Sequence, residues 1–142
     1  MQSQECDNIT AFLEAAVSAG ASSEEVAALV TTTLLRIDLA LSPIVGQRGM
    51  AALYKRSLHI SRPMHPWLPT AAEAAEAEMD LADLTAALAT RTSADAAAAG
   101  AQLLKSFRAL LTTLIGESLT ERLLRPVWAT LLSGPTARAT KP

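Results

Sequence analysis

Cysteine occurs once in this chain of 142 residues, at Cys6. A single thiol cannot close an intramolecular disulfide, so a small extracellular fold stapled by cross-links is excluded. No motif surrounds Cys6, which reads as an incidental thiol and not as a nucleophile. Aromatic residues make up 4% of the chain and β-branched runs are scarce, which removes the usual material of strands. Charge is also sparse. Charged residues are 18% and the formal net charge is −2, so there is no general pull toward nucleic acid or an anionic membrane.

The motifs of common enzymes are missing. There is no glycine-rich dinucleotide or phosphate loop, no GxSxG elbow and no HExxH pair. Only His59 and His65 carry imidazoles, and neither has a carboxylate or thiol at metal-ligand spacing, so no metal, no cofactor and no catalytic residue is expected. The opening MQSQECDN is acidic and polar, unlike the basic start of a signal peptide, and no run of about eighteen uninterrupted apolar residues follows. The expectation is a non-enzymatic cytoplasmic protein with no membrane span.

What is present is helix. Half the residues are hydrophobic, and alanine and leucine dominate among them. The strongest core-forming stretch is Leu103–Leu132, with apolar residues at Leu103, Phe107, Leu110, Leu111, Leu114, Ile115, Leu119, Leu123, Val127, Trp128, Leu131 and Leu132. Steps of three and four place such residues on one side of a helix. Ahead of it, the spacing predicts helices over about 7–19, 23–41, 48–61 and 71–90. Asp7 or Asn8 would cap the first, and Gly20 would end it. Ser22 and Glu25 stand at capping-box spacing before the second. Ser42-Pro43 should kink or break the second helix, and Pro63–Pro69 should form a stiff loop in which Trp67 and Leu68 plug a gap. Ser93 or Asp95 should cap a fifth helix ending near Gly116. Ser118 and Glu121 should open a sixth that Pro126 kinks. No internal repeat of useful fidelity is visible. The fold predicted is a single-domain, all-α antiparallel bundle of five or six helices over residues 1–133, with a small, polar, disordered tail at 134–142.

Three surface patterns are candidates for function. On the second helix Val26, Leu29, Val30, Thr33, Leu34, Ile37 and Leu41 form the main face, while Leu35 and Leu39 lie on nearly the opposite side. A helix apolar on two sides is either central or carries a partner, and Leu35 and Leu39 would suit a homodimer seam. On the third helix Arg48, Lys55, Arg56, His59 and Arg62 line one side, with no acid between Arg48 and Arg62. That side could attract an acidic protein or an anionic ligand; nucleic acid is not expected, since no aromatics are interleaved. The predicted fourth helix has an acidic line, Glu73, Glu76, Asp80 and Asp83, which an antiparallel hairpin could bring beside the cations.

Three functional readings follow. The first is a regulatory protein–protein interaction module. The second is a phosphotransfer protein using His59, because bundle domains of that kind carry an exposed helical histidine followed at the third position by a cation, here Arg62. The third is a sensor with a pocket between helices and Arg48 or Arg62 gripping an anionic group. Met50, Met64, Met79, Trp67 and Trp128 are read as core fillers.

Overall fold

A computed structural model describes residues 2–68 and 81–140, with side chains from Ile9 to Leu68 and from Leu81 to Ala129. The chain folds as an all-α helical bundle: α1 Gln2–Ser18, α2 Ser23–Val45, α3 Gln47–Ser61, α4 Ala82–Ala89, α5 Ser93–Ile115 and α6 Glu117–Thr140.

The second and fifth helices form the centre, and each packs against all five others. Val26, Val30, Leu34, Ile37 and Leu41 of α2 are fully buried, as are Leu103, Leu104, Phe107 and Leu111 of α5. The two approach closely because α5 carries Gly100 at the contact. A Cβ there would lie 2.5 Å from Val30 Cγ2. Ala96, Ala97 and Ala99 are buried beside it, so the smooth alanine run at the start of α5 is used for close helix packing. The outer helices supply Ile9 and Leu13 from α1, Met50, Tyr54 and Leu58 from α3, Leu84 and Leu88 from α4, and Leu124, Val127 and Trp128 from α6.

Helix ends follow their local chemistry, with several departures from the sequence-based expectation. The Ser22 box forms: Glu25 N–H donates to Ser22 Oγ at 3.1 Å, and Ser22 N–H donates to Glu25 Oε1 at 2.9 Å. At α5 the cap is Thr92, whose Oγ1 accepts from Asp95 N–H at 3.0 Å, and Ser93 is already helical. The first helix starts at Gln2, so Asp7 and Asn8 lie within it. Pro43 does not break α2. The helix continues through it to Val45 and forfeits the bond that a residue-43 N–H would have made to the Leu39 carbonyl. The turn comes instead at Gly46, at φ 91°, and α3 begins at the next residue. Gly116, at φ 94°, joins α5 to α6 in the same way. Positive φ in this range is what glycine supplies without a Cβ penalty. The sixth helix starts at Glu117, which places Ser118 inside it. It runs through Pro126 to Thr140, past the boundary at residue 133 drawn from composition.

Leu68 plugs the core as expected. Trp67 is half-buried under the Arg91 guanidinium, 4.9 Å from the ring centre, with His65 edge-on at 6.0 Å. Met50 and Trp128 are core residues; Met64, 70% exposed, is not, and Met79 lies outside the described residues. In the Leu103–Leu132 stretch, Leu114 is exposed, and Leu104 and Leu124 are buried in addition to the stripe.

By length and composition α2 is also apolar enough to cross a membrane, the one such helix among those described. Its position accounts for that apolarity. One side feeds the core, and a second apolar side faces outward.

Candidate interaction surface

The outer side of α2 is built from Ala28, Thr32, Leu35 and Leu39, which recur at helical spacing and are all exposed. Leu35 is 50% and Leu39 75% exposed, on a helix whose other large residues are mostly buried. Ile44, at 53%, adds an exposed apolar side chain in the last turn. Isolated surface leucines are ordinary, but consecutive turns of one helix presenting them make a strip. Arg36, exposed, stands at its flank.

The cation line of α3 is on the solvent side of its helix. Arg48, Arg56 and His59 are exposed, and Lys55 and Arg62 are half-buried. Met50, Ala51, Tyr54, Ser57 and Leu58 turn the other way into the core. Among the described residues no ion pair engages these five; Arg91 pairs with Asp95 at 3.9 Å. Arg62 Nε is buried without a hydrogen-bond partner among those residues. The helix ends at Ser61 and Arg62 is its C-cap, so His59 lies in the last helical turn.

Of the acidic line only Asp83 is among the described residues, and it does not pair with these cations. The fourth helix packs on α2, and α3 packs on α2 and α5, and among the described residues α3 and α4 do not touch. The hairpin expected between them is therefore not formed by the described part of α4, because both helices spend their apolar faces on the central pair. Glu73, Glu76 and Asp80 lie outside the described residues; Asp83 is exposed on α4.

A groove of about 400 Å³ opens between α1 and the first half of α5, lined by Thr10, Glu14, Val17, Ser18 and four alanines. Its charged group is a carboxylate. Neither Arg48 nor Arg62 reaches it, so it does not provide the cationic grip expected of an anion-sensing pocket. Among the described residues no group of three or more His, Cys, Asp or Glu side chains is placed to hold a metal ion.

Sequence periodicity placed Leu35 and Leu39 on the outer side of α2, and Arg48, Arg56 and His59 on the outer side of α3, where the structure has them exposed. It missed Ile44, because Pro43 suggested that the helix had already ended. No family model, curated protein or solved structure matches this chain.

Proposed function

We propose that this chain is a regulatory protein–protein interaction module that associates with a second copy of itself through the Leu35–Leu39 strip. The cation line of α3 is then available to an acidic protein partner. The observation that carries the reading is the exposure of Leu35 and Leu39 on the most central helix of the bundle. Covering two such leucines from each copy is worth about 5 kcal/mol at the usual value of apolar burial. That only just offsets the lowest estimate of the cost of association, roughly 4–15 kcal/mol, so a measurable dimer also draws on the flanking contacts of Ala28, Thr32 and Ile44.

Light scattering coupled to size exclusion tests this, on wild type and Leu35→Lys/Leu39→Lys, up to about 1 mM, the range populated by a net association energy of about −4 kcal/mol. A wild-type mass that rises toward the dimer, with a folded monomeric variant, supports the seam. A wild type that stays monomeric throughout contradicts it.

A phosphotransfer role is the second reading, favoured by the exposure of His59 on the outer side of α3. Incubation with a phosphodonor, with and without His59→Gln, separates it from the first. Acid-labile phosphate that depends on His59 would replace the interaction reading.

A further inference from the structure

Two halves of the bundle repeat one another in structure. The second and fifth helices are each 23 residues long. Each is preceded by a hydroxyl N-cap, Ser22 and Thr92. Each ends at a glycine of nearly the same conformation, φ 91° and ψ 153° at Gly46 against φ 94° and ψ 155° at Gly116. The shift is constant, 23 to 93 and 46 to 116, and burial follows it. Val26 matches Ala96, Leu34 Leu104, Ile37 Phe107 and Leu41 Leu111; on the following helix Tyr54 matches Leu124 and Leu58 matches Trp128, all buried. Most of the packing repeats as well, although α1 touches α6 and, among the described residues, the equivalent α4 and α3 do not meet. The first helix lies on α5 as α4 lies on α2, and α3 lies on α5 as α6 lies on α2. Val30 and Gly100 occupy equivalent positions and meet each other. Two equivalent residues in mutual contact must sit at the axis that relates the halves.

We infer that the chain is a duplicated three-helix unit, α1–α3 and α4–α6, folded about a pseudo-twofold axis at the Val30–Gly100 contact, with the interaction surface confined to the first unit. The second half of this statement rests on the seam reading given above. Equivalent positions act as an internal control on what the scaffold itself requires. Leu35 and Leu39 correspond to Lys105 and Ala109, and Arg48, Arg56 and His59 to Ser118, Pro126 and Ala129. The half-buried Lys55 keeps a cationic counterpart, Arg125. The unit therefore folds with small or polar residues at these outer positions, so Leu35, Leu39 and most of the cation line are additions to the first copy, while the exposed Ile44 keeps an exposed apolar counterpart in Leu114.

The axis is tested by exchanging the two residues on it. Val30→Gly leaves a cavity and a flexible helix residue, and Gly100→Val forces a branched side chain onto Val30; each lowers Tm by roughly 5–10 °C. The exchanged double variant V30G/G100V restores the same pair across the axis and returns to within about 3 °C of wild type. A double variant at or below the worse single overturns the duplication, whatever the oligomeric state. Confinement is tested by moving the strip. Lys105→Leu/Ala109→Leu in the L35K/L39K background restores concentration-dependent dimerisation, and in the wild-type background it gives species larger than a dimer. Failure of both, with the exchange rescued and wild type dimeric, overturns the equivalence of the outer surfaces. A monomeric wild type overturns the seam and the confinement together and leaves the exchange result standing.

Discussion

Gly100 is a sharp test of the central packing because two opposing effects act on it. A glycine inside a helix costs about 0.5–1 kcal/mol relative to alanine, so Gly100→Ala gains that much from the backbone. The added methyl would lie 2.5 Å from Val30 Cγ2, well inside van der Waals contact. Val30 is fully buried in the core, and its branched side chain is stiff at χ1, so it cannot swing clear. Overpacking of this kind costs about 1–3 kcal/mol. The net expectation is a loss of about 1–2 kcal/mol, a fall in Tm of several degrees for a domain of this size. Val30→Ala alone loses about 2 kcal/mol through the cavity it leaves. The pair V30A/G100A loses less than the sum of the singles, because each substitution relieves the other's defect. Urea denaturation of the four proteins reads the cycle. An unchanged or raised stability in Gly100→Ala alone would refute the close approach of α2 and α5.

Other perturbations probe different parts of the account. Gly46→Ala and Gly116→Ala should each lose about 1–2 kcal/mol in urea denaturation, since each places a Cβ at positive φ, and the two losses should be similar. Ser22→Ala removes one half of the capping box and should cost about 1 kcal/mol of stability, measured the same way. Arg48→Glu/Arg56→Glu alters two exposed side chains without touching the core. Unfolding free energy should stay within about 0.5 kcal/mol of wild type, while binding of an acidic partner should be lost.

The parts of the fold legible in the sequence were those written in local chemistry. Val26, Val30, Leu34, Ile37 and Leu41 announce their buried face by spacing alone, and Ser22 with Glu25 announces where α2 starts. Leu35 and Leu39 were identified as a second side for the same reason. Pairing of helices was not legible. The charges of α3 and Asp83 suggested a hairpin, but burial on α2 and α5 decides where α3 and α4 lie, and apolar area outweighs exposed charge pairs. Pro43 misled because the helix continues through it at the loss of one backbone bond, which the sequence does not reveal. The duplication was hidden for a different reason. Its equivalence is more one of burial than of identity: Leu34 and Leu41 recur as Leu104 and Leu111, but Ile37 against Phe107 and Leu58 against Trp128 conserve only the fact of being inside. Gly46 and Gly116 were the signal that could have exposed it, two glycines each closing an apolar helix directly onto the next.

The account's central claim is that the outer side of α2, and not its counterpart on α5, is where this protein meets its partner copy. Cysteine cross-linking tests it in a Cys6→Ser background, with Leu39→Cys in one protein and the equivalent Ala109→Cys in another, oxidised across a range of concentrations. The account predicts a covalent dimer that grows with concentration for Leu39→Cys and little for Ala109→Cys. Equal cross-linking at both positions, or none at residue 39, would contradict it.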